Sequence, residues 1–186
     1  MVLRLLDQQK KLQKQRMSID GSLVQSFAFK DTTGFSGKHY RIGTKISTLV
    51  DGAGIPLSVC FAQGNRHDLV LAPQTLRSVQ LAYSRFPIAS LLADKGYDSK
   101  RFRQCSVAQK FVPYIPKRKG KKVRKKYQLL YLTDKPLQKK RYVVEQTNSW
   151  LKSFRRLRHR FDYSLLSFES FVYLAILVIC VRRLME

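Results

Sequence analysis

The sequence predicts an α/β fold, a mixed sheet with helices packed on its faces. Three observations carry that prediction. Residues 40 to 50 alternate Tyr40, Ile42, Ile46, Thr48 and Val50 with His39, Arg41, Lys45 and Ser47, the period of a half-buried strand, and Leu57, Val59 and Phe61 resume the alternation after a DGAG turn. That pairing is a hairpin. The stretch IASLLADKGYD is a continuous apolar run stopped by Gly96, the pattern of a central strand covered on both faces. Segments with helical periodicity fill the spaces between and after these strands.

Taken in order, residues 1–16 read as a short amphipathic helix or a linker remnant, and the domain proper spans 17–186. RMSIDGSLV reads as a short strand that ends at a Gly-Ser turn beside Asp20. After the hairpin comes GNRHD, where Asn65 or Asp68 is placed to cap a helix over LVLAPQTLRSVQLAY that carries Pro73. SKRFRQCSVAQK gives a second helix, capped by Asp98 or Ser99. FVPYIP has strand composition, but Pro113 and Pro116 cannot donate ladder hydrogen bonds, so it belongs at a sheet edge. KRKGKKVRKK, residues 117–126, reads as a mobile basic loop. Helices then occupy about 135–160 and about 167–184.

Charge narrows the partner. The 186 residues hold 36 Lys and Arg against 12 Asp and Glu, a formal charge of +24. Such an excess repels itself unless a polyanion neutralises it, and nucleic acid gains counterion entropy in doing so. Cys60, Cys105 and Cys180 form no CxxC pair, which points to reduced thiols in a cytoplasmic protein rather than a disulfide frame or zinc site. The N-terminus lacks the apolar stretch of a secretory signal. The longest apolar run, residues 171–181, is eleven residues where a bilayer crossing needs about 20, so a buried C-terminal helix is expected and no membrane. There is no GxxxxGK[ST] loop, no GxSxG elbow and no paired Cys/His metal ligands, which removes nucleotide-hydrolysing motors and zinc fingers from contention.

One carboxylate stands out. Between Lys117 and Arg160 the chain carries seventeen Lys or Arg and two acids, Asp134 and Glu145. On a wheel of 100° per residue, Glu145, Asn148, Lys152 and Arg155 fall within about 40° of Arg141, while Val143, Val144, Trp150, Leu151, Phe154 and Leu157 gather opposite. Glu145 therefore looks outward among cations. Alone, it reads as half of an Arg141–Glu145 salt bridge at i, i+4. Asp20 and Asp94 alter that reading, because each lies where a strand ends, and in open sheets with crossover helices chemistry gathers at the carboxyl ends of strands. If those strands are parallel neighbours, the two carboxylates need a divalent cation, and a helix-borne third completes a two-metal site.

The segments SIDGSLV and LLADKGYDS and the run Arg141–x3–Glu145–x6–Lys152 resemble the three catalytic blocks of DDE transposases from bacterial insertion sequences, the group with a Y-x2-R-x3-E-x6-K signature, and GNRHD is similar to a segment between the first two. The resemblance runs from about Met17 to the C-terminus and implies an RNase H-like fold. It implies Asp20, Asp94 and Glu145 as catalytic ligands of two Mg²⁺ ions, with Mn²⁺ able to substitute, and Arg141 and Lys152 beside DNA phosphates. Arg155 and Arg156 join them as expected DNA contacts, as do Lys121, Lys122, Arg124 and Lys125 of the basic loop. The expected partners are double-stranded DNA at element ends and at the target, a second copy of the chain, and an upstream-frame product supplying end recognition, since no N-terminal DNA-binding domain is recognisable here. One departure is Gln138, which stands at the signature tyrosine position. The expected function is metal-dependent cleavage and strand transfer at insertion-sequence ends. Two alternatives stay open: a catalytically inert DNA-binding fragment, and a structure-specific nuclease of the same fold.

Overall fold

The central strand of the molecule is β1 (Arg16–Ser26), and the placement of every other element follows from its two edges. The structure is a computed structural model that describes residues 2–82, 87–120 and 122–186. A short helix, α1 (Val2–Gln8), precedes β1 and seats Leu6 in the core. The chain then forms β2 (Gly34–Ser36), β3 (Arg41–Val50) and β4 (Pro56–Gln63), followed by α2 (Asp68–Ala82). Next come β5 (Ala89–Leu92), a 3₁₀ turn at Lys95–Tyr97, α3 (Lys100–Ala108) and β6 (Phe111–Tyr114). The basic segment leads into a 3₁₀ helix at Lys125–Leu130, then α4 (Lys135–Lys139), α5 (Tyr142–Ser153), α6 (Arg155–Arg158), β7 (His159–Arg160) and α7 (Leu165–Met185).

The sheet runs β2-β3-β1-β5-β6, with β4 also on β3 and β7 also on β1. β3 pairs antiparallel with β1, β2 and β4; β5 is parallel to β1 and to β6. This is the expected mixed sheet flanked by helices, in the RNase H-like layout. The hairpin, the buried β5 and the edge position of β6 with Pro113 follow the sequence pattern. β1 does not stop at a Gly-Ser turn: it continues for eleven residues, because its pairing with β3 extends from Ser18 through to Gln25.

Alternation along β1 divides the core. Met17 and Ile19 enter one apolar cluster with Leu49, Leu76, Leu91 and Phe111, while Val24 enters another with Ile46, Leu151, Leu157, Phe168 and Val172. Each such side chain contributes roughly 1.5–3 kcal/mol on burial. Asp20 shares the parity of Val24 and thus the face on which α5 packs. Thr147 fixes that helix by donating to Gly54 O at 2.6 Å, across the β3–β4 turn.

Two expectations about the C-terminal third need correction. The helix foreseen over about 135–160 is broken twice, and at Phe154 the backbone is extended (φ −69°, ψ 122°), which lets both Leu151 and Leu157 reach the core. Asn148, placed on the outward arc by the wheel, is buried. The final helix is present but only half covered. Phe168, Val172, Ala175, Ile179 and Cys180 point inward, whereas Tyr173, Leu174, Leu177, Val178 and Val181 remain 37–55% exposed. By length and composition α7 could cross a membrane, yet its buried stripe lies on the sheet, and a sheet covers one side of a cylinder only.

Candidate active site

On the edge of β1 that faces away from β3, β5 covers Arg16 to Ser18 and β7 covers Gln25 and Ser26. Among the described residues, no strand pairs the stretch between them on that side. A cavity of about 750 Å³ opens there, floored by Asp20, Gly21, Ser22, Leu23 and Gln25 of β1. Backbone groups and one carboxylate therefore line a groove where a sheet would ordinarily continue.

The parallel register does the rest. Ser18 pairs with Leu92 as the last pair of that ladder, and two residues further along the chain come Asp20, still within β1, and Asp94, past the end of β5. Asp94 borders the same cavity, as do Arg141, Glu145 and Lys152 from α5 and the residue before it. Lys38 and His39, from the turn between β2 and β3, and Arg41, which opens β3, also line it. Arg41 is tied to the floor by donating to Gln25 Oε1 at 3.0 Å.

Electrostatics differ from acid to acid. Burial pushes the Asp20 carboxyl from 3.8 up to about 6; Arg141 and the Gly21 amide oppose the rise, and the charges of Asp94 and Asp68 add to it. Asp94 accepts from Gly96 N at 2.6 Å and so caps the 3₁₀ turn that follows β5. A side chain at position 96 would crowd that carboxylate, since a Cβ there would lie 2.7 Å from Asp94 Oδ1. Glu145 is half exposed and ion-paired with Arg141. Lys152 is partly buried, and loss of hydration lowers its pKa, with the Asp20 charge working the other way.

The arrangement brings all three candidate carboxylates into one cavity. As placed, however, no three His, Cys, Asp or Glu side chains among the described residues stand close enough to hold a metal ion. Glu145 faces Arg141, as the salt-bridge reading of the sequence had it. Asp20 and Asp94 suit a divalent cation by their chemistry: both offer hard oxygens, and Asp20 is a desolvated carboxylate with acidic neighbours.

The other expected DNA contacts disperse. Arg155 and Arg156 do not line this cavity; they border an apolar one of about 230 Å³ with Phe171, Leu174 and Val178, and Arg156 pairs with Asp162 at 3.1 Å. Lys122, Arg124 and Lys125 are exposed, away from the cavity lining, and Lys121 lies outside the described residues. Gln138 donates to Tyr114 O, joining α4 to the edge strand rather than entering the site.

Sequence reasoning missed a fourth carboxylate. Asp68 was read as a helix cap, but its Oδ1 is 3.0 Å from Lys45 Nζ and it presses on Gly21, where a Cβ would come within 2.2 Å. A smaller cavity of about 310 Å³ joins Asp68 to Asp20, Asp94 and Tyr97. The Tyr97 hydroxyl is buried there without a hydrogen-bond partner among the described residues, and burial together with the charges of Asp68, Asp20 and Asp94 raises its pKa. The signal for Asp68 is the GNRHD segment that ends in it. The basic turn GKHYR was read only for its strand periodicity.

A mixed sheet whose central strand opens onto an acid-floored, cation-rimmed groove belongs to the RNase H-like class. Residues 11–181 match the family described as "Transposase DDE domain", and the chain belongs to that family. It is also 31% identical over 146 residues to a Burkholderia cepacia protein named "Putative transposase for insertion sequence element IS402", an alignment covering 75% of this chain and 64% of that relative. The matched stretch thus falls short of two thirds of the relative's length.

Proposed function

We propose that this chain is the catalytic domain of a transposase that cuts a phosphodiester at an insertion-sequence end and joins the freed 3′-OH to target DNA. The observation that carries the reading is that Asp20, at the unpaired edge of β1, and Asp94, just past β5, border one cavity with Glu145, Arg141 and Lys152. Asp20, Asp94 and Glu145 would hold two Mg²⁺ or Mn²⁺ ions. When bound, such ions neutralise phosphate charge and make water a better nucleophile.

The protein's own groups supply position and charge. Asp20 is held within β1 by its pairing with β3 and Asp94 by the Gly96 amide, so both carboxylates are positioned before any ligand arrives. Glu145 reaches the floor by leaving Arg141, and the freed guanidinium then offers its forked donors to a phosphate. Lys152, already partly dehydrated, is a point charge at the same rim. Lys38 and Arg41 complete a cationic border suited to a DNA backbone. Double-stranded DNA at element ends and target is the substrate of this reading, and a second copy and an upstream-frame product are its protein partners.

The test is a labelled element-end duplex incubated with Mg²⁺ or Mn²⁺. Asp20→Asn, Asp94→Asn and Glu145→Gln should each abolish cleavage and joining with DNA affinity nearly intact, while Mg²⁺ should raise the melting temperature of the parent chain and not of Asp20→Asn. Unchanged activity in any variant removes that residue from the site. The Arg141–Glu145 pair favours a second reading, an inert DNA-binding fragment. It requires salt-sensitive DNA binding with no metal-dependent product. Incision without joining assigns the chain to the nucleases.

A further inference from the structure

Beyond Gln25, the last β1 residue lining the cavity, the chain leads to a cluster of rings that the cleavage chemistry does not use. Past Gln25 the strand pairs with His159 and Arg160 of β7, and the chain emerges at Phe27. The Phe27 ring lies 5.2 Å from that of His159 and 5.8 Å from that of Phe161, centroid to centroid. Phe27 is 65% exposed, Phe161 56% and the adjacent Tyr163 75%. The underside of the cluster is fixed. Lys30 donates to Phe161 O, and Arg160, fully buried, donates to Thr44 Oγ1 and to Asp162 O and Tyr163 O. The Phe27 and Phe161 rings therefore face solvent from a rigid base, with His159 half-buried beside Phe27.

We infer that the Phe27–His159–Phe161 cluster is a stacking platform for unpaired bases of a DNA strand running out of the acid-floored groove. The inference rests on the nucleic-acid reading of that groove. Aromatic faces beside cations bind single strands with little sequence preference, because every base offers a π-face while the charges hold the backbone. Arg158 is exposed next to the platform with no ion pair among the described residues. The nearby acids are engaged: Asp162 pairs with Arg156, and Asp31 accepts from Leu165 N at 3.0 Å. Distance fits as well. At about 3.3 Å per residue, the seven steps from Asp20 to Phe27 span about 23 Å, roughly seven stacked nucleotides at 3.4 Å each. A second copy of the chain suits this face less well, since self-pairing would bring the surrounding cations of two strongly basic molecules together.

The full chain, free of divalent metal, is titrated into three fluorescein-labelled probes: a blunt duplex, the same duplex with a single-stranded dT extension, and one whose extension is abasic. The parent chain should prefer the dT extension over the abasic one by about tenfold. Phe27→Ala and Phe161→Ala should each remove most of that preference and leave blunt-duplex affinity and its salt slope unchanged, and Phe27→Trp should keep it. Equal affinity of the parent chain for dT and abasic extensions overturns the platform, as does an equal loss on the blunt duplex. So does sedimentation showing a parent dimer that Phe161→Ala turns into monomer. Because no metal is present, an inert Asp20→Asn enzyme leaves this result standing, whereas failure to bind any of the three probes overturns platform and groove reading alike.

Discussion

The strand-borne and helix-borne acids of the groove are held in different ways. Asp20 lies within β1 and Asp94 just past the end of β5, each two residues beyond the Ser18–Leu92 pair that closes the parallel ladder, and the charge of the exposed Asp94 adds to the rise that burial gives Asp20. Glu145 stands half exposed on α5, satisfied by Arg141 four residues earlier, and the helix is tied to the sheet by Thr147. The strands thus provide a rigid, electrostatically uncomfortable floor, and the helix provides an adjustable wall.

The contrast can be broken or sharpened by substitution. The largest effect is expected on the floor: Asp20→Asn or Asp94→Asn should lower metal-dependent strand cleavage by about a thousandfold or more, equivalent to about 4 kcal/mol of barrier. Gly21→Ala comes next. Its Cβ displaces Asp68 from Lys45, so the urea midpoint should fall by the equivalent of about 1–3 kcal/mol. Much of that loss should vanish in the Gly21→Ala, Asp68→Ala double variant.

Proton linkage gives the third test. Asp20 titrates higher in the fold than its ordinary 3.8, so the folded chain binds the proton more tightly, and stability from this group is lost as pH rises from about 3.8 to about 6. Without metal, Asp20→Asn should therefore be more stable than the parent by about 1–3 kcal/mol at pH 7.5 and equal to it near pH 3, read by thermal melts. Saturating Mg²⁺ should close the gap at neutral pH. Thr147→Val should cost about 1 kcal/mol by leaving Gly54 O unpaired. The smallest change is in binding: Glu145→Gln, which should abolish cleavage as the floor variants do, should free Arg141 and tighten duplex binding only about twofold, measured by anisotropy at low salt.

Much of this architecture was legible because local pattern and tertiary placement agreed. The hairpin, the buried β5, the edge strand with its prolines and the outward Glu145 all follow from periodicity or from a missing donor. What failed did so where long-range contacts overrode local signals. β1 runs past Gly21 because β3 pairs with it there, and Gly21 serves the approach of Asp68 rather than a turn. Phe154 breaks a helix that no glycine or proline marks, because two leucines on either side are drawn into one core. Arg103 and Arg160 count as surface charge in composition, yet both are fully buried, Arg103 against Asp98 at 3.0 Å. An arginine's sequence neighbours do not reveal which carboxylate or carbonyl will enclose it.

The chain's order of residues by itself determined the class of fold, the basic character and the three acids worth watching, since periodicity, net charge and block spacing are one-dimensional properties. Only the folded arrangement decided that Asp20 and Asp94 border one cavity, that Asp68 and Tyr97 line a second one with them, and that Phe27 meets His159 and Phe161. Those relations depend on strand register and on where β5 ends and β7 begins along the same edge. Pairing of residues far apart in the chain sets them, and no local stretch encodes the distance between two strands.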